Sequence, residues 1–413
     1  MSPLPPGPHP GRSPSAAFTP ARLGPLTLRN RVLKAATFES MSPGGLVTDA
    51  LVDFHRAFAA GGVAMTTVAY CAVSPEGRGA PNEIVLRPAA GEGLARLAAA
   101  VHAEGAAVSA QIGHAGPVGQ RRITGARPLA ASSGVSTLAT RYYAMTAEDI
   151  ARVTADFASG ARLLADAGFD AVELHFGHHY LVNSFMSPRW NRRKDGYGGS
   201  TEGRIRFARE IAHVVREAVG TRTAVLAKYE MTDAVPRGLW LDESIAMARL
   251  LEADGTLDAL ELTAGGSLGN PMYLFRGEVP RREFAAVLPP VQRLGYRVVG
   301  KRFMPEYPFE EAYLLPLARQ FRQALDLPLV LLGGVNRLDT VDAAVAEGFA
   351  FVAMGRALLR EPGLLRRLQA SRENGDAMQE SLCIHCNKCM PTVFSGTHCV
   401  LVDPADRPGL RVL

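Results

Sequence analysis

Residues 171–200 read AVELHFGHHYLVNSFMSPRWNRRKDGYGGS. The run from Ala171 to Leu174 is a short apolar strand, and His175, His178, His179 and Tyr180 follow it within six positions, ahead of a glycine-rich turn. Proton-carrying side chains gathered where a buried strand stops fit the carboxyl end of an inner barrel strand, because a (β/α)8 barrel carries its chemistry at that end. Working outward, apolar and β-branched runs recur at 31–36, 63–70, 106–112, 169–175, 223–228, 258–263, 328–333 and 349–354. Helical patterns separate them. Before the fourth run, Thr146 with Asp149 reads as a capping box, and Ile150, Val153, Phe157, Ala161 and Leu164 recur at helical spacing. Eight strands alternating with helices predict an α/β fold closed as a (β/α)8 TIM barrel.

The chain has 413 residues, of which 47% are apolar, enough to bury one large core. Three segments are expected: a flexible arm at 1–20, the barrel at 21–370, and a C-terminal extension at 371–413 carrying four cysteines. Residues 268–327 are too long for an ordinary connection, contain the apolar run YRVVGKRF, and are expected to form an excursion over the barrel mouth. The net charge of +5 is spread along the chain without a basic block alternating with aromatics, which argues against nucleic-acid binding. No run approaches the ~20 apolar residues of a membrane span, and the proline-rich start lacks a signal-peptide core, so a cytoplasmic location is expected. The composition leaves a homo-oligomer open.

The strand ends can be compared directly. The third run ends in Gln111 before GHAG, the fourth in His175, the fifth in Lys228, the seventh in GGV and the eighth in MGR. Gly333, Gly334 and Gly355, with Arg356 beside them, give bare backbone at the last two strand ends, where such barrels bind phosphate. No G-x-G-x-x-G follows a strand, so a phosphate-bearing cofactor is expected on the barrel itself.

Through LTLRNRVLKAAT, QIGHAG, the block from 168 to 207 containing Asp195 to Ser200, LLGGV and MGRALLREP, the chain resembles the old yellow enzyme family of FMN-dependent ene-reductases. Within it, the similarity is to the branch related to 2,4-dienoyl-CoA reductase. The resemblance implies FMN across the barrel mouth, NAD(P)H as co-substrate, and a small-molecule alkene as the oxidising substrate in a ping-pong cycle. It places Ala35, Ala36, Thr37, Phe38 and Tyr70 against the isoalloxazine and Gln111 at its pyrimidine edge. Gly333, Gly334, Gly355 and Arg356 go to the phosphate. It makes His175 and His178 the clamp on the oxygen of an activated alkene and Tyr180 the proton donor; His179 receives no role. Two positions depart from the family pattern: Lys228 stands where arginine is usual beneath the flavin, and Phe38 where a Thr, Cys or His is usual. Asn183, Asp195, Tyr197 and Gly198 are expected to shape the loop.

Rival readings use the same residues. Lys228 suits the Schiff base of a class I aldolase with Tyr180 as shuttle, His175 and His178 suit a metal-dependent hydrolase, and the two departures suit a non-catalytic flavin-binding protein. The tail raises a separate question. Cys383, Cys386, Cys389 and Cys399 are spaced C-x2-C-x2-C-x9-C, and the resembled branch carries a four-cysteine iron–sulfur motif after its barrel. That spacing is shorter than the branch's, and the further flavin and nicotinamide domain of that branch is expected to be missing. A structural zinc or iron–sulfur site, free thiols packing the tail, and a redox-active disulfide all remain open.

Overall fold

A computed structural model describes residues 14–136, 140–288, 290–377 and 379–410. Eight parallel strands form the barrel: β1 (Val32–Lys34), β2 (Met65–Ala72), β3 (Ala107–Gly113), β4 (Ala171–Phe176), β5 (Ala224–Glu230), β6 (Ala259–Thr263), β7 (Leu329–Leu331) and β8 (Phe351–Met354). Each begins and ends within two residues of its expected bounds. They pair in sequence order, and β8 pairs with β1 through Met354↔Lys34, which closes the sheet. The connecting helices are α1 (Asp49–Ala60), α2 (Gly91–Ala103), α3 (Ala147–Asp166), α4 (Thr201–Val219), α5 (Leu241–Asp254), α6 (Leu315–Ala324), α7 (Leu338–Ala346) and α8 (Leu364–Asn374).

Strand alternation decides what each wall contains. In β4, Val172, Leu174 and Phe176 join the apolar shell between sheet and helices, whereas Ala171 joins the barrel interior. Glu173 and His175 continue the interior row upward. In β5 and β6 the same alternation sends Val225, Ala227, Tyr229, Leu260 and Leu262 outward and sets Ala224, Leu226 and Ala259 inside. A hairpin of Ala21–Leu23 and Leu26–Leu28 packs Leu23 and Leu28 against those interior alanines and plugs the amino end of the barrel. The lower interior is therefore small and apolar, and the upper interior is polar. α3 begins with the expected capping box at Thr146 and Asp149, and buries Ile150, Val153, Phe157, Ala161 and Leu164. Each such large side chain contributes roughly 1.5–3 kcal/mol by leaving water.

Part of the expected arm is packed. Residues 1–13 lie outside the described residues, but Ser15 donates to Asp342 on α7 at 2.6 Å and Ala17 is fully buried. The excursion is shorter than its expected 268–327, because α6 belongs to the outer ring. Three short helices, Pro271–Leu274, Arg281–Val287 and Pro290–Phe303, fill it, and the run YRVVGKRF lies in the last. The tail after α8 has little regular structure and is held by specific hydrogen bonds. Thr397 donates from its backbone to Glu39 at 2.9 Å and from its hydroxyl to the Phe38 carbonyl. Asn387 donates to the carbonyls of Phe275 at 2.6 Å and Glu278 at 2.9 Å, tying the tail to the excursion.

Candidate active site

A cavity of about 380 Å³ opens at the carboxyl ends of the strands. Ala35, Ala36, Thr37, Phe38, Tyr70, Gln111, His175, His178, Tyr180, Lys228, Gly333, Gly334, Gly355 and Arg356 all line it. The structure thus brings together every catalytic and cofactor residue expected from the sequence. Between Val68 and Cys71 the pairing of β2 with β3 shifts register, and Tyr70 from that break faces the cavity. Asn183, Asp195 and Tyr197 shape the β4 loop as expected: Asn183 accepts the His179 N–H at 2.8 Å, Asp195 pairs with Arg193 at 2.6 Å, and the Tyr197 hydroxyl bonds Glu210 at 3.0 Å.

Lys228 is buried between two carboxylates. Its ammonium lies 2.5 Å from Glu261 and 3.5 Å from Glu173, and Gln111 donates to Glu173 at 2.5 Å. The pairs follow from register, since Lys228 stands opposite Glu261 and Glu173 opposite Gln111. Burial by itself would lower the Lys228 pKa, but Glu173 and Glu261 outweigh it and raise the value. For Glu173, desolvation followed by repulsion from Glu261 pushes the carboxyl up to about 8. A cation sits beneath the cavity with two buried carboxyl side chains beside it. A Schiff-base lysine must shed its proton to attack a carbonyl, so this environment disfavours the aldolase reading.

The histidine pair is fixed from three sides. His178 adopts φ of +60°, and its backbone N–H donates to Glu230 on β5 at 2.6 Å. Its Nδ1 lies 3.2 Å from His175 Nε2, and its Nε2 lies 2.8 Å from Thr263 Oγ1 on β6. Burial holds both rings neutral: His175 falls to about 3, with Lys228 adding to the shift, and His178 falls well below its usual value. Tyr180 packs over His175 with ring centroids 4.3 Å apart. Burial, with Glu83 nearby, raises its phenol well above the usual range, so it keeps its proton. His179 points away, into a fully buried site 3.7 Å from Asp233.

At the far end of the cavity Gly333 and Gly334 have φ of +108° and +78°. A Cβ there would stand 2.4 Å from Leu314 and 2.5 Å from Tyr313, so only glycine allows this close approach. Arg356 reaches Asn387 at 2.5 Å and the Arg276 carbonyl at 2.8 Å. The glycine cradle with its cation, the buried Lys228 and Gln111, and the unpartnered Tyr70 hydroxyl between them together fit FMN.

The four tail cysteines are free and border one small cavity with Arg356, Leu359 and Arg360. Cys389 borders the large cavity as well. Burial raises the Cys383 thiol and pushes Cys389 up to about 12. Among the described residues, no three His, Cys, Asp or Glu side chains close around one point tightly enough for a single ion. A tetrahedral zinc with bonds of about 2.3 Å needs that convergence. A several-iron cluster takes four thiolates spread more widely than the ligands of a single ion.

Several participants carried no signal that was read in the sequence. Glu173 and Glu261 flank Lys228, Thr263 and Glu230 hold His178, and Met390, Val393 and Thr397 of the tail complete the cavity wall. Glu173 was within reach, being two residues before His175 on the same face of an otherwise apolar strand. The tail residues have no comparable pattern.

Fold and site together define a flavin-dependent oxidoreductase on a TIM barrel. Residues 16–261 match the NADH:flavin oxidoreductase / NADH oxidase family, and the chain belongs to that family. It is an NAD(P)H-dependent FMN enzyme, as the resemblance to old yellow enzyme implied. It is 54% identical over 387 residues to the 4,4'-dithiodibutanoate disulfide reductase of Rhodococcus erythropolis, covering 94% of this chain and 95% of that protein. A metal reductase of Desulforamulus reducens is 31% identical over 384 residues, covering 92% of this chain and 52% of that protein, so this chain spans about half of it. A 2-naphthoyl-CoA reductase structure superposes with a TM-score of 0.80 at 24% identity, over 94% of this chain and 57% of that one, and shares the fold. Among the described residues, no helix is long and apolar enough to cross a membrane.

Proposed function

We propose that the enzyme reduces the activated C=C bond of a small enone, enal or nitroalkene. The observation that carries this reading is the pair of neutral ring nitrogens, 3.2 Å apart, at the cavity wall beside a protonated Tyr180. His175 and His178 hydrogen-bond the carbonyl or nitro oxygen and draw electron density from the alkene. FMN, when bound, would supply hydride equivalents taken from NAD(P)H, for delivery to the β-carbon. Tyr180 delivers the proton to the α-carbon as general acid. Gln111 and Lys228 would hold the pyrimidine edge, Ala35 to Phe38 and Tyr70 would flank the ring, and Gly333, Gly334, Gly355 and Arg356 would hold the phosphate. The excursion and tail present Phe284, Phe303, Met304, Met390 and Val393 to the acceptor, which favours a substrate with an apolar body.

A second reading is favoured by one comparison. The 54% identical relative is named a disulfide reductase over nearly its whole length, which supports an organic disulfide as acceptor. In that case one hydride equivalent and one proton split the S–S bond into two thiols. The Cys383, Cys386, Cys389 and Cys399 cavity supports an iron–sulfur cluster, which would supply one-electron transfer beside the flavin site. Iron and zinc analysis after anaerobic purification tests this, and less than about 0.1 metal per chain rules it out.

The acceptor is tested by reducing the purified enzyme anaerobically with NADH and following its reoxidation by enones, enals, nitroalkenes and disulfides. Fast reoxidation by the oxygen-bearing alkenes is expected; reoxidation by disulfides alone selects the second reading.

A further inference from the structure

We infer that Asn387, in the tail, is a positioning residue for the cofactor: it holds the Arg356 guanidinium at the phosphate end of the cavity, so tail and excursion complete a site that the barrel leaves unfinished. The inference rests on the assignment of Arg356 to the phosphate in the function proposed above. Asn387 is buried, and each of its three polar contacts has one possible direction. Its Nδ2 lies 2.6 Å from the Phe275 carbonyl and 2.9 Å from the Glu278 carbonyl, and its Oδ1 lies 2.5 Å from Arg356 Nη1. Carbonyls only accept and a guanidinium only donates, so the amide nitrogen faces the carbonyls and the oxygen faces the arginine. A flipped amide would lose all three bonds. The backbone suits the task, since φ of +55° at Asn387 is a left-handed conformation that asparagine tolerates better than most residues.

Arg356 follows the last barrel strand and lines the cavity with Gly333 and Gly334. A guanidinium carries five N–H donors. Nη1 spends both of its hydrogens, one on Asn387 and one on the Arg276 carbonyl at 2.8 Å. Nη2 gives one to the Tyr313 hydroxyl at 3.3 Å, whose own proton goes to the Leu274 carbonyl. What remains is Nε–H and one Nη2–H, with no acceptor among the described residues. Those two are what Arg356 offers to an anion in the cavity, and charge-assisted donors of this kind suit a phosphate. None of the three groups that hold the guanidinium lies on a barrel strand: Arg276 is in the excursion, Tyr313 precedes α6, and Asn387 is in the tail. Without the acceptor from the tail, Arg356 would have to order its long side chain as the phosphate arrives, which weakens binding.

The test titrates the full chain, stripped of flavin, with FMN and with riboflavin, which has the same ring and side chain without the phosphate, and reads Kd from flavin fluorescence. The ratio of the two affinities isolates the phosphate end, because general loosening of the lid weakens both flavins alike. The wild type should prefer FMN strongly, and Arg356→Ala should cut that preference by about 30-fold or more. Asn387→Ala should cut it by about tenfold, with riboflavin affinity little changed. In the Arg356→Ala background, Asn387→Ala should have no further effect on the ratio, since it acts through that arginine. An unchanged ratio in Asn387→Ala, or full additivity of the two substitutions, overturns the inference. If Asn387→Ala does not fold, Asn387→Gly, which accepts the same φ, carries the test with the same expected results. An unchanged ratio in Arg356→Ala would instead overturn the assignment of Arg356 to the phosphate, and the inference with it.

Discussion

The cavity has two walls made of different material. The strand-end wall presents Gln111, His175, His178 and Lys228, and these are held by Glu173, Glu230, Glu261 and Thr263 through hydrogen bonds and ion pairs from neighbouring strands. The opposite wall, from the excursion and the tail, presents mainly apolar side chains on short helices and irregular chain, and depends on a few links such as Asn387 to Phe275 and Glu278. A parallel sheet fixes its register for every residue at once, so polar groups set on it hold position to fractions of an ångström. A lid held by few bonds can change its lining without disturbing the sheet. On the function proposed above, the difference puts the chemistry on the barrel and acceptor choice on the excursion and tail, which form a lid.

The largest break in this contrast is Lys228→Ala. It leaves Glu173 and Glu261 facing each other without their cation, and removing one partner of a buried ionic group costs about 3–5 kcal/mol. Denaturant unfolding should show that loss together with reduced FMN retention, and a change under about 1 kcal/mol would mean the network is solvated. Tyr180→Phe comes next. Reoxidation by an enone should slow by about 100-fold or more while reduction by NADH stays nearly intact, because only the proton to the alkene is lost. Equal slowing of both half-reactions in stopped flow would move Tyr180 out of that role.

On the lid, Asn387→Ala removes two hydrogen bonds between tail and excursion, each contributing about 0.5–1.5 kcal/mol. KM for the acceptor should rise several-fold with the nicotinamide half-reaction unchanged. If KM for NADH rises equally, lid and barrel are not separable. The smallest effect concerns pH. His175, lowered to about 3, stays neutral in the folded protein, so acceptor affinity should be flat from about pH 5 to 7. For stability the sign is opposite for the two shifted groups. The unfolded chain takes up protons on histidine below about 6.5, so stability falls as pH drops from there toward 3. Glu173, raised to about 8, ionises near 4.3 when unfolded, so its burial costs stability increasingly as pH rises from about 4.3 to 8. The two windows overlap from about 4.3 to 6.5, where their slopes oppose each other, so thermal stability across this range should be highest there.

The barrel was legible because its signal is local: each strand is a short apolar run and each intervening helix has its own period, as in α3. The cavity residues at the strand ends were legible for the same reason, and through the resemblance. Thr263, Glu230 and Glu261 were not, because their roles come from pairing with strands that are distant in sequence. His178 Nε2 meets a residue 85 positions away. The end of the excursion was misplaced because α6 is amphipathic like any ring helix, and length alone does not separate it from the preceding loop. The docking of the tail through Thr397 onto Phe38 spans 359 positions and leaves no periodic trace in either segment.

The most direct test of alkene reduction on the barrel wall follows two hydrogens into the product. The enzyme is turned over on an enone with nicotinamide deuterated at its hydride position, and separately with ordinary NADH in heavy water; the product is read by NMR. The account predicts one deuterium at the β-carbon in the first case and one at the α-carbon in the second, with α-carbon delivery slowed in Tyr180→Phe. No carbon-bound deuterium from either source, alongside ready reoxidation by a disulfide, would contradict it.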